Sequence, residues 1–442
     1  MSLEAYIATT RFGLGARPGE LDSMRDARGW LKQQIANPLI PPSIAAMPKR
    51  SEILDMMGPP KGKKAENKTK EEADAQKLLR RRMQQEFTQQ CATRFNAQVQ
   101  STQPFIERLV LFWSNHFTVS AQKNPVVPLV NPYEAHAIRP HLTGNFADLL
   151  IAVVQHPAML IYLDNAHSVG PNSRGGQRRE KGLNENLARE ILELHTMGVG
   201  SGYTQNDVIA LAKIITGWSV KPRDAAFMYN PNLHEPGPKT LLGKIFEEQG
   251  VEEGLKALRM IAMHPATARH LATKLARHFI ADTPPPAAID RLAKSYLDSG
   301  GDLKQLYTTL IDMAEPWMMA QSKVKTTYEY VLSACRVQGV TFDGQKLARQ
   351  LASLNYRMFS ATSPAGESDT AMGWVSSDSV MKRIEWAKVF ARQFPPKANP
   401  LDLAQQLFGP VMHQETAFII KGAASPQDGL AFLLSSPEFQ RR

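Results

Sequence analysis

The chain has 442 residues, 43% hydrophobic and 21% charged, a balance that excludes a disordered or fibrous protein and allows a sizeable core. Its net charge of +10 favours anionic partners, but no zinc-finger spacing or RNA-binding aromatic signature accompanies it, so nucleic acid is not the expected partner. With only Cys91 and Cys335, a disulfide framework and a thiolate metal site are excluded, and no apolar run reaches the roughly 20 residues of a membrane span.

In chain order, "MSLEAYIATTRFG" lacks a basic start followed by an apolar core, so the cytoplasm is the expected compartment. Pro18 suits the start of a helix, where its missing N–H costs nothing. A Pro-rich and then Lys-rich loop covers about 38–70, with a basic linker at 58–72 that includes "KGKK". A long polar helix is expected at 71–98, followed by one at 103–117, whose Phe105, Leu109, Phe112 and Trp113 form an apolar stripe. Two helix starts share the letters "HPA", at 156 and 264, and both histidines read as structural. Residues 166–183, "AHSVGPNSRGGQRREKGL", read as a Gly-rich mobile loop.

"NENLAREILELHTMG", 184–198, reads as a helix ended by Gly198, and Thr204 with Asp207 has the spacing of a capping box for the next. Residues 221–250 are rich in Pro and Gly and read as irregular. Helices are expected near 251–262, 265–281, 287–299, 302–313, 324–338 and 343–355, and four short ones between 376 and 438. The fold class is all-α, a large multi-helix orthogonal array with long irregular loops and little or no β-structure, in a single domain over 1–442.

Several stretches imitate known chemistry and fail on spacing. "GPKTLLGKI" lacks the Ser or Thr after Lys244 that a phosphate loop needs, and "HEPGP" lacks the second His of a zinc-protease helix. "GESDT" at 366–370 lacks the Gly that a nucleophile elbow places two residues after the Ser. In 184–198, by contrast, Asn186, Arg189, Glu190 and Glu193 share one helical face, while Leu187, Ala188, Ile191, Leu192 and Leu194 occupy the rest. His195 falls inside the apolar arc and cannot complete a Glu-x-x-His di-metal motif there.

Three readings of this face stand open. It is a solvated surface with local ion pairs, a buried network with the basic stripe His270, Lys274, Arg277 and His278, or a site. In the last case carboxylate and amide oxygens suit a divalent cation such as Ca, Mg or Mn, with Asp164, Asn184, Glu190 and Glu193 as ligands. Glu190 and Glu193 are then the acid–base candidates with His116 or His234 moving protons, and Arg189, Asn115, Asn186, Lys274 and Arg277 hold substrate.

Taken together, "RFGLGARPGEL", "LVLFWSNHFTVS", "HPAMLIYLDN", the 184–218 stretch, "LHEPGPKTLLGK", "HPATARHLATKLARHFIAD" and "SPAGESDTAMGW" resemble successive motifs of one bacterial family. It is catalogued as domain of unknown function 1800. The resemblance implies a large helical protein, often exported and often encoded beside a second family similar to sulfatases and alkaline phosphatases. Together with the positive charge, that implies a partner protein of that kind, or hydrolysis or modification of an acidic or sugar-like polymer. This chain departs from the exported members at its N-terminus, which leaves a periplasmic location against the cytoplasmic expectation. The positions matching the family motifs are Asn115, His116, Asp164, Asn165, Asn184, Glu185, Asn186, Arg189, Glu190, Glu193, His195, Trp218, His234 and Glu235.

The rival function is a non-catalytic scaffold, with the polar face as a buried network and the basic surface holding a partner or polyanion.

Overall fold

The computed structural model describes residues 1–48, 52, 70–178, 182–221, 225–318 and 321–442. Among these the protein is essentially all-α, with two small two-stranded antiparallel sheets. One contiguous cluster of buried apolar side chains runs from Ala5 to Phe439. No helix among the described residues is long and apolar enough to cross a membrane.

The helices expected at 251–262 and 265–281 form close to those bounds, whereas Pro18 lies in a turn and the stretch after it splits into Glu20–Ser23 and Ala27–Ala36. Val251–Ala262 buries Gly254, Ala257, Leu258, Ile261 and Ala262, and Pro265–Phe279 buries Ala268, Leu271, Ala272, Leu275, Ala276 and Phe279, each at three- and four-residue intervals. The second of these packs along Pro286–Asp298, while Ser377–Gln393 packs on Pro426–Ser435. Each fully buried Leu or Phe contributes about 1.5–3 kcal/mol, so these stripes, rather than intrinsic helix propensity, hold the array together.

Local chemistry sets the starts. In both "HPA" segments the histidine caps the helix: Nδ1 of His156 accepts the Ala158 N–H at 3.2 Å and Nδ1 of His264 accepts that of Ala266 at 3.1 Å, with Pro at the first helical position. Thr204 and Asp207 form the expected capping box, and Thr326 with Glu329 forms another.

The long polar helix runs over Lys70–Gln100, so the last residues of the 58–72 linker are already helical and the rest of it lies outside the described residues, apart from these. The stretch expected to be irregular contains two short hairpins. Trp218–Lys221 pairs with Ala226–Tyr229, and Lys239–Leu241 with Lys244–Phe246, the latter turning at Leu242 and Gly243, both with positive φ. Strands of three or four residues give too little alternation to stand out between Pro and Gly.

Deep in the array lies a charged chain. Arg139 donates two hydrogen bonds of 2.8 Å to Glu107 and two of 3.1–3.2 Å to Glu134, which also accepts from Arg94 at 2.7 Å. All four side chains are buried, and they tie Lys70–Gln100, Pro104–His116 and the 130–141 segment in one register.

Candidate functional site

The 184–198 stretch is not one uniform helix. The Asn184 side-chain oxygen accepts the Asn186 N–H at 3.0 Å, an α-helix follows over Asn186–Glu190, and the chain then widens into a π-turn over Ile191–His195. Such a turn leaves carbonyls unpaired by the helix itself. Here the Thr196 hydroxyl donates to the Ile191 carbonyl at 2.5 Å, His270 Nε2 to that of Leu194 at 3.1 Å, and His116 Nε2 to that of His195 at 3.0 Å.

The polar face sits partly exposed on the outside of this turn. Arg189 donates to Glu185 at 3.1 Å, to Glu193 at 3.4 Å and to Gln205 at 2.9 Å. Burial first, and the neighbouring Glu193 second, push the Glu190 carboxyl upward. Asn186 is exposed. Asp164, held at φ 60°, is paired with Lys123 at 2.6 Å. Among the described residues no group of three or more His, Cys, Asp or Glu side chains is placed to hold a metal ion, so the expected Asp164, Asn184, Glu190 and Glu193 set does not assemble there as a ligand cluster. Arg189 and Lys123 already neutralise two of its carboxylates.

His234 stands in a separate, buried cluster. Its Nδ1 donates to the Thr216 carbonyl at 3.0 Å, and its Nε2 lies 3.1 Å from Glu253 Oε2 and 3.3 Å from Lys239 Nζ. Lys239 also reaches the other Glu253 oxygen at 3.1 Å. Beside it, Glu235 accepts from the backbone and side-chain amides of Asn172 at 2.9 and 2.7 Å. With Gly170 and Gly175 donating to the Leu233 and Asn232 carbonyls, these bonds pin the described part of the Gly-rich loop to "LHEPG". Residues 179–181, within the loop expected to be mobile, lie outside the described residues.

A third place gathers Asn115, His116 and Lys274. They line a pocket of about 120 Å³, open to the surface beside Ser368, with Phe112, His278, Lys323, Tyr356, Glu367, Asp369, Trp374 and Arg442. None of Glu190, Glu193, Arg189 or His234 lines it, and Arg277 points to solvent. One wall is the end of the Pro104–His116 helix, another is Pro265–Phe279, and the 361–374 segment closes the third. That segment is clamped from beneath: Asn115 accepts the Glu367 N–H at 2.7 Å and donates to the Glu367 carbonyl at 3.0 Å. Gly366 is required at the crossing, since φ is +80° and a Cβ would fall 2.5 Å from the Asn115 carbonyl oxygen.

The electrostatics of this pocket are uneven. Lys274, Lys323, Arg94 and Arg442 bring four cationic ends to its lining, against carboxyls of Glu329, Glu367 and Asp369. Lys274 pairs with Asp369, and Lys323 pairs with Asp282 while donating to the Asp369 carbonyl at 2.7 Å. Burial raises the Glu367 carboxyl, which the Tyr356 hydroxyl meets. Burial, then Lys274, drives His116 far below the usual imidazole range, and burial, then Arg442, does the same to His278. Because a carbonyl can only accept, His116 carries its proton on Nε2, and Nδ1 is the bare acceptor. A neutral imidazole, a carboxyl whose pKa burial raises and several cationic side chains therefore share the lining of one pocket.

Of the candidates singled out in the sequence, Asn115, His116 and Lys274 line this pocket, together with Glu367, Asp369, Lys323, Tyr356, Trp374 and Arg442, which were not singled out there. The signal available was the acidic "GESD" loop together with the Lys274 and His278 spacing on one helical face. No curated protein and no solved structure matches the chain. A family model described as "Protein of unknown function (DUF1800)" matches residues 7–441. With that match over nearly its whole length, the chain belongs to the DUF1800 family.

Proposed function

We propose that the protein is a hydrolase or modifying enzyme for an acidic, sugar-like ligand, and that the pocket lined by Asn115, His116 and Lys274 is where the acidic group binds. One observation supports this above the others: Lys274, Lys323 and Arg442 converge on a pocket that also presents Phe112 and Trp374 as apolar and aromatic walls. Cations take the anionic group while flat rings suit the apolar face of a sugar. His116 Nδ1 accepts a proton from an attacking water, and Glu367 gives one to the departing oxygen. A divalent cation is no part of this reading.

Glucuronate and short uronic-acid oligomers, added at low salt, test it through the melting temperature. A ligand at 100 times its dissociation constant stabilises the fold by about 2.7 kcal/mol. No shift with any acidic sugar, at millimolar concentration, sinks the proposal.

The non-catalytic reading retains one specific support, namely that Arg189 already binds Glu185, Glu193 and Gln205, leaving the 184–195 face a self-satisfied network. Its carboxylates then add specificity to the fold rather than chemistry. Glu190→Gln removes a partly buried charge that the fold disfavours, so stability stays within about 1 kcal/mol of the parent. A loss of several kcal/mol, read by urea denaturation, contradicts this placement of Glu190.

A further inference from the structure

Asp369 sets the protein's own carboxylate against Lys274 in the lining of the pocket. Its side chain pairs with Lys274, and each of the two side chains is only 16% exposed. The clamps that hold the surrounding segment are all made elsewhere. Asn115 grips the backbone of Glu367, Lys323 reaches the Asp369 carbonyl at 2.7 Å, the Ala371 N–H donates to Asp282 at 2.7 Å, and the Trp374 indole donates to the Ser368 carbonyl at 2.9 Å. The segment therefore stays in place without the Asp369 side chain. Among the described residues, the hydrogen bond and ion pair of that side chain go to Lys274, a cation of the pocket wall.

We propose that Lys274 is the seat for a carboxylate of the ligand, and that Asp369 fills this seat as an internal competitor which the ligand must displace. The inference rests on the reading of the pocket as an anion site and adds its chemical class and its built-in restraint. Asp369 is attached to a segment clamped on both sides, so its effective concentration at Lys274 is high. A free carboxylate competes at a disadvantage unless further contacts, such as those with Lys323, Arg442 and the aromatic wall, add to its binding. The restraint thus selects a larger acidic ligand over small anions of the solvent. Neutral His116 and His278 lie beside the seat and bring no competing charge.

The test is calorimetric titration of glucuronate, with inorganic sulfate as a second probe, into the parent protein, Asp369→Asn and Asp369→Asn/Lys274→Met. Asp369→Asn keeps the side-chain shape, and Asp369→Ala serves as a second variant should the first fail to fold. The expected result is glucuronate binding at least tenfold tighter to Asp369→Asn than to the parent, with the gain cancelled in the double variant. Binding to the parent that Asp369→Asn leaves unchanged, or a gain that survives Lys274→Met, overturns the inference while the anion-site reading stands. A gain for sulfate as large as that for glucuronate overturns the carboxylate assignment. Absence of binding to all three proteins removes the underlying reading and the inference with it.

Discussion

His195 is fully buried, and neither of its ring nitrogens has a hydrogen-bond partner among the described residues. Burial lowers its pKa from 6.5 to about 3, so the fold accepts only the neutral ring. Between pH 6.5 and about 3 the unfolded chain binds a proton that the folded chain refuses, so stability falls as pH falls through that window. The slope approaches about 1.4 kcal/mol per pH unit for each such histidine. His116 and His278 are shifted in the same direction, and His270 as well, so the acid limb is steep. His195→Leu removes one proton from that slope, and urea unfolding across pH 4–7 measures it. An unchanged acid limb contradicts the neutral, buried assignment. At this scale the sequence disclosed His195 as an apolar-arc residue, and it disclosed Asn115, His116 and Lys274 as candidates. It could not disclose their partners, because Lys274 meets Asp369 across 95 residues and Asn115 meets Glu367 across 252. No local period encodes such distances.

Among elements, helix starts were the most legible features, since a capping box or an N-cap followed by Pro is chemistry within three residues. The π-turn at Ile191–His195 was hidden because its extra residue is fixed by bonds from His116 and His270 on other helices. Uniform 100° steps place Glu190 and Glu193 on one face correctly but cannot show that Arg189 already joins the face to Gln205. The hairpins of 218–246 were hidden by their brevity. The Glu107, Arg139, Glu134 and Arg94 chain sets the register of three segments, and it carries a clear prediction. Arg139→Ala leaves two buried carboxylates without their shared partner and costs about 3–5 kcal/mol, read as a fall in the urea midpoint. A cost below about 1 kcal/mol means that the chain is dispensable to the fold. Replacing all four side chains with apolar residues of similar volume is expected to restore much of that stability, since the desolvation of the charges disappears with them.

Over the whole molecule, the all-α class was legible because a repeating apolar stripe is a property of each helix alone, whereas the pocket is a property of elements brought together from residues 94 to 442. The net charge of +10 acts at this scale too. It attracts any polyanion weakly and nonspecifically, and that attraction is screened over about 8 Å at physiological ionic strength. If the proposed pocket holds the acidic group, binding of a long uronate polymer is expected to weaken as salt rises from low to physiological concentration, while binding of the monomer is expected to lose much less. Equal salt dependence for polymer and monomer, measured by titration at two ionic strengths, shows that the pocket adds nothing to the surface field.

Whether the pocket holds the acidic group is decided by titration calorimetry of a uronic-acid oligomer against the parent protein and Lys274→Met at physiological salt. Saturable binding of one oligomer per chain to the parent is expected, weakened at least tenfold by the substitution. Binding of equal strength to both proteins would contradict this, because the acidic group would then lie somewhere other than the pocket.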